Sequence, residues 1–182
     1  MKPNLINDPE IKKEVDILQQ TMLDILQRRI IWESLEQKVV GKKINETILR
    51  ILAIDYVGSQ LSDLRKFFED DTKSHSIKFL TPKLLSGNKT KPEHDRLYNI
   101  WTKKYKDLTN QYYLHRQRGY QNPGWISKSE LNSFIEDINL LLDLLIKELV
   151  DAGFHTPYLE RKINSTYLQD IGISATDFFT QL

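Results

Sequence analysis

Ser127-Lys128-Ser129-Glu130-Leu131-Asn132-Ser133-Phe134-Ile135-Glu136-Asp137-Ile138-Asn139-Leu140-Leu141-Leu142-Asp143-Leu144-Leu145-Ile146-Lys147-Glu148-Leu149 is the stretch that decides the fold. Leu131, Phe134, Ile135, Ile138, Leu141, Leu142, Leu145 and Leu149 recur at helical spacing and form one stripe of a long amphipathic helix. Ser127 and Glu130 make a capping box that sets its start. Leu140, Leu144 and Ile146 widen the stripe beyond what one neighbour covers. The helix is therefore expected at the centre of a bundle or at a dimer interface.

The same period returns three times towards the N-terminus. Asp8-Pro9-Glu10 is a start signal, with a cap acceptor, proline at the first helical position and an acid facing the dipole. Ile11, Val15, Leu18, Met22, Ile25, Trp32, Leu35 and Val39 follow on one face until Gly41 breaks the pattern. Arg29 falls on that face, and Glu33 four residues on is its expected partner. A second helix is predicted from near Ile44 to Phe68, with Ile48, Ile51, Ile54, Val57, Leu61, Leu64 and Phe68 inward. A loop over residues 70–76 leads into a short apolar turn, Ile77 to Leu85, interrupted by Pro82. A third long helix opens near Pro92 and Glu93 and carries Tyr98, Trp101, Tyr105, Leu108, Tyr112 and His115.

With no persuasive strand pattern, the fold class is all-α. The expected architecture is an antiparallel bundle of four long helices, with a short extra helix between helices 2 and 3. A bundle domain over residues 1–152 would be followed by an extension, residues 153–182, packed on or near it. In that tail Ser174-Ala175-Thr176-Asp177 is read as the cap of a last turn through Phe178 and Phe179.

The chain of 182 residues is long enough for one ordinary core, and its 26 basic and 25 acidic residues nearly cancel. Net charge therefore gives no argument for a nucleic-acid partner, and any basic surface must be local. Without cysteine, disulfides, thiolate metal sites and cysteine nucleophiles are excluded. The four histidines, His75, His94, His115 and His155, are scattered and lack the Glu-x-x-His spacing of a bundle metal site. Glycine-rich phosphate loops and a Gly-x-Ser-x-Gly elbow are also missing, so neither metal nor cofactor is expected. No run approaches the roughly 18 apolar residues of a membrane-spanning helix, and Met1-Lys2-Pro3-Asn4 leads into polar sequence. The expectation is a cytoplasmic protein without a membrane partner.

The chemistry-bearing stretch is Tyr112-Tyr113-Leu114-His115-Arg116-Gln117-Arg118-Gly119, followed by Tyr120 in a turn-rich connection. A histidine ending a helix beside arginines suits work on a phosphodiester, because imidazole moves protons near neutral pH and guanidinium holds phosphate. The plain structural alternative is that His115 caps the last carbonyls of its own helix. The stripe of Tyr98, Trp101, Tyr105 and Tyr112 is read first as core, and Tyr112, Tyr113 and Tyr120 are the better candidates for stacking on RNA bases if RNA binds.

The element order resembles the HEPN superfamily, in particular its abortive-infection AbiU-type branch. The residues carrying the resemblance are Leu61-Ser62-Asp63-Leu64-Arg65-Lys66-Phe67-Phe68-Glu69-Asp70 and the short segment from Ser74 through Leu85. The close of the third helix on Tyr113-Leu114-His115-Arg116 and the leucine-rich fourth helix complete it. The resemblance covers about residues 9–152. It implies a homodimer with a histidine from each protomer near the shared interface, in a phage-defence or toxin–antitoxin setting with a cognate antitoxin or other protein partner. Active members resemble metal-independent ribonucleases, with an arginine four to six residues before the histidine. Here Asn110 stands five residues before His115, and Leu108 to Leu114 contain no arginine.

Two functions follow as expectations. In the first, an endoribonuclease uses His115 as acid or base, Arg116 and Arg118 to hold phosphate, and Asn110 to orient it. In the second, a catalytically silent dimeric module of the same fold binds RNA or protein. An unrelated helical scaffold for protein binding is the third possibility.

Overall fold

The computed structural model describes residues 9–39, 45–69, 76–110, 126–154 and 165–180, and every regular element among them is helical. In chain order these are α1 (Pro9–Val39), α2 (Glu46–Phe68) and the single turn α3 (Ile77–Leu80), which tightens into a 3₁₀ turn at Thr81–Lys83. Then come α4 (Thr90–Ile100), α5 (Lys128–Asp151) and α6 (Ser165–Thr180). The line of α4 continues through a π turn, Trp101–Tyr105, and on through residues 106–110.

Local chemistry accounts for several of these limits. Asn45 caps α2 by accepting from the Thr47 N–H at 2.9 Å, and Ser127 Oγ accepts from the Glu130 N–H at 3.1 Å at the start of α5. Pro82, which has no N–H to give, sits at the start of the 3₁₀ turn. Helix α5 ends in a Schellman motif: Gly153, at φ 97°, donates to Val150 O, while Phe154 donates to Leu149 O. Glycine is required there because a Cβ disfavours that left-handed conformation. Phe154 then folds back into the core.

All eight stripe positions of α5 are buried, and they meet Ile11, Val15, Leu18, Met22 and Ile25 of α1 in one core. Leu61, Leu64, Phe67 and Phe68 enter from α2, and Leu97, Trp101 and Tyr105 from the α4 line. Phe68 lies at the joint, with ring centroids 5.6 Å from Trp101 and 5.9 Å from Phe134, and Tyr105 stacks on Phe134 at 4.6 Å. Arg29 pairs with Glu33 at 3.2 Å as its spacing predicts, and it also reaches Glu136 of α5 at 3.0 Å. Arg28 pairs with Asp63, tying α1 to α2. The buried Gln60 donates to Ile25 O at 3.0 Å and ties the same two helices from inside.

Two expectations are corrected, for the start of α2 and for the tail. Ile48 and Ile51 are exposed, at 53% and 43%, and full burial along α2 begins only at Gln60. Leu140 is 64% exposed and Leu144 and Ile146 are half-buried, so the broad stripe of α5 is only partly covered within the chain. The tail holds a full helix, α6, with Ser174–Asp177 inside it rather than capping a last turn. Finally, Leu108 packs partly buried against the core, and Thr109 beside it is fully buried.

Helix α6 lies along α1 in the most extensive helix–helix contact described. Gly172 allows the approach: a Cβ there would stand 3.2 Å from Ile30 Cγ2. Gly172→Val should push α6 away and cost about 1–3 kcal/mol, as overpacking does. The check is the urea midpoint together with protease sensitivity of the tail. An unchanged or raised midpoint would remove Ile30 as the contact that sets the approach.

A second tie is electrostatic. The Glu148 carboxylate accepts from the N–H groups of Lys89 and Thr90, at 2.6 and 3.1 Å, and from Thr90 Oγ1 at 2.6 Å. A residue of α5 thus caps α4 across the fold. Burial opposes the charge of Glu148, but these hydrogen bonds outweigh it and hold the carboxyl below its usual range. Glu148→Ala should cost about 1–2 kcal/mol at neutral pH, the scale of a lost N-cap. Because the folded-state pKa is depressed, the contribution is present above the unfolded carboxylate pKa and is lost as pH falls through the folded one. Urea titrations of both proteins across acidic pH should therefore converge. A gap that persists undiminished at the acid end would show that the carboxylate charge is not involved.

Candidate nucleic-acid groove

Of the residues singled out at the end of the third helix, His115, Arg116, Arg118, Tyr112, Tyr113 and Tyr120 lie outside the described residues. Asn110 is described. It is exposed and lines a groove between the C-terminal end of α2 and the α4 line.

The groove has a volume of about 320 Å³. Phe68, Tyr98 and Trp101 provide its aromatic surface, with Arg65 and Glu69 on the α2 side. Thr102, Lys106, Thr109 and Asn110 belong to the opposite wall. Tyr98, Thr102, Lys106 and Asn110 are spaced by four residues each. In a regular helix of 3.6 residues per turn such a row drifts by about 40° at each step. The π turn at Trp101–Tyr105, in which the Lys106 N–H reaches back to Trp101 O, is wider and offsets the drift. The row therefore keeps to one groove.

The hydroxyls of this wall are committed to their own helix. Thr102 Oγ1 donates towards Tyr98 O at 2.9 Å, and the buried Thr109 Oγ1 donates to Tyr105 O at 2.7 Å. Arg65 Nε meets Glu69 Oε1 at 2.7 Å, an i,i+4 pair whose arginine side chain is still 48% exposed. Behind the wall, burial first and the nearby Glu130 charge second push the Tyr105 phenol up to about 12, so it stays neutral at physiological pH. Tyr105 is thus a core residue and no acid or base near neutrality. Trp101 is buried and Tyr98 half-buried, in keeping with their reading as core.

Two cations and an amide can hold a phosphate, with the half-buried Tyr98 beside it for a sugar or base. Among the described lining residues there is no histidine, and Glu69 is the one carboxylate. Also among the described residues, no group of three or more His, Asp or Glu side chains is placed to hold a metal ion. No helix described is long and apolar enough to cross a membrane.

Arg65, Glu69, Thr102 and Lys106 were not foreseen as one site. Their sequence signals are the Arg65/Glu69 spacing and the four-residue row ending at Asn110, but nothing local places α2 beside that row. No protein-family model matches the chain, and comparisons with curated proteins and with solved structures return no significant match.

Proposed function

We propose that this chain is a HEPN-like antiparallel helical bundle that acts on RNA, as a metal-independent endoribonuclease of a phage-defence or toxin–antitoxin system. The observation that carries the reading is the groove itself, where Arg65, Lys106 and Asn110 surround an aromatic floor on the helix whose sequence continues to His115. In this mechanism His115 takes the proton from the RNA 2′-hydroxyl or protonates the leaving oxygen, while Arg116 and Arg118 hold the phosphate. With the 2′-hydroxyl as internal nucleophile, the reaction ends in a 2′,3′-cyclic phosphate. Tyr112, Tyr113 and Tyr120 stack on flanking bases. A homodimer completes the site, and the exposed Ile48, Ile51 and Leu52 of α2 offer apolar surface for such a contact.

The test is incubation of RNA with pure protein in excess chelator. Cleavage to cyclic-phosphate ends supports the nuclease. Intact RNA over several substrates sinks it.

The second reading is a catalytically silent RNA- or protein-binding module of the same fold. It is favoured by the absence of arginine between Leu108 and Leu114. That reading expects salt-sensitive RNA binding that Arg116→Ala and Arg118→Ala abolish, without cleavage.

A further inference from the structure

The sequence just before His115 lacks an arginine, yet a guanidinium faces the α4 line from α2. Arg65, near the end of α2, lines the groove opposite Lys106 and Asn110. We infer that Arg65 and Lys106 form a phosphodiester-binding site for single-stranded RNA, with Glu69 as an internal competitor for Arg65. The inference rests on the RNA-directed reading above and extends it to residues outside the His115 segment.

Three features point to this ligand class. First, the donors are of the right kind: a guanidinium fork, an ammonium and a side-chain amide stand on opposite walls of one groove. Such a set suits the several oxygens of a phosphate better than a single point acceptor. Second, the volume of about 320 Å³ leaves room for more than an ion, and Tyr98, the lining aromatic that is not buried, can meet a base or ribose. An aromatic floor beside cations is how single strands are held, with the backbone on charge and the base or ribose on an apolar face. Third, Arg65 is held at rest by Glu69 of its own helix, at 2.7 Å in an exposed i,i+4 pair. Exposed pairs of this kind are weak, so an incoming phosphate can take the guanidinium from the carboxylate. Glu69 thereby lowers affinity for small or weakly held anions and favours a ligand that also engages Lys106 and the floor.

The test is fluorescence anisotropy of a short labelled single-stranded RNA with the full chain, in chelator, over a series of salt concentrations. Arg65→Ala should weaken binding on the order of ten- to a hundredfold, the effect of losing a charged hydrogen-bond partner. It should also reduce the slope of log affinity against log salt by about 0.7, one phosphate contact on a single strand. Glu69→Gln should tighten binding several-fold by releasing Arg65, a gain that a purely structural role for the pair would not produce. Arg50→Ala, which removes an exposed charge elsewhere on α2, is the control and should change little. Thermal unfolding of each variant guards against misfolding, and Lys106→Ala gives an independent loss from the other wall.

If the wild type binds RNA and neither Arg65→Ala nor Lys106→Ala weakens it beyond the control, the groove site is overturned while the RNA-directed reading stands. An affinity that falls or stays unchanged in Glu69→Gln overturns the competitor role. If the wild type binds no RNA, the RNA-directed reading fails and takes the groove with it.

Discussion

Phe134→Ala should destabilise the fold by about 3–5 kcal/mol, the usual cost of emptying a large aromatic position in a packed core. Phe134 is buried between two neighbours of different origin, Phe68 from α2 at 5.9 Å and Tyr105 from the α4 line at 4.6 Å. Aromatic pairs in such geometry contribute about 0.5–1.5 kcal/mol beyond their area, so two are lost at once. The joint holds α2, the α4 line and α5 together, so its collapse cannot be absorbed by one helix moving. Much of a small domain's total stability, typically about 5–15 kcal/mol, is at stake. The measurement is the urea midpoint by circular dichroism, with Phe134→Leu as the milder comparison. A loss below about 1 kcal/mol for alanine would mean that the site repacks freely and that this joint does not organise the fold.

His115→Ala should lower RNA cleavage by about a hundred- to ten-thousandfold, the range attributed to a positioned general acid or base. Two features make this variant decisive for the nuclease reading. Tyr105 is neutral near physiological pH, and the described lining of the groove contains no histidine, so no described imidazole there can replace His115. Binding should survive, since the phosphate-holding residues remain. The comparison is single-turnover cleavage beside RNA binding, in chelator, with folding checked for both proteins. Binding retained with cleavage lost assigns the proton transfer to His115. Cleavage retained in the variant would remove His115 from the chemistry, and absence of cleavage in the wild type would leave the silent module as the reading.

The helices were readable because each carries its own instructions. The eight inward positions of α5 follow from apolar spacing, its start from Ser127 and Glu130, and the Arg29–Glu33 pair from a four-residue step. The tail was harder to read. The place of helix α6 against α1 depends on Gly172 meeting Ile30, a complementarity between segments far apart in the chain. The π turn was equally hidden, because periodicity assumes a regular helix and cannot show where one residue is inserted. Thr109 is fully buried after it, beside the partly buried Leu108.

By itself, then, the sequence determined the helical class and most of the inward faces, which depend on residues within a few turns of one another. Only the tertiary structure decided that Arg65 and Glu69 of α2 share a groove with Lys106 and Asn110, and that Glu148 of α5 caps α4. The reason is physical. A helical stripe states that a face is buried, while the partner it is buried against is chosen by packing among all the helices together.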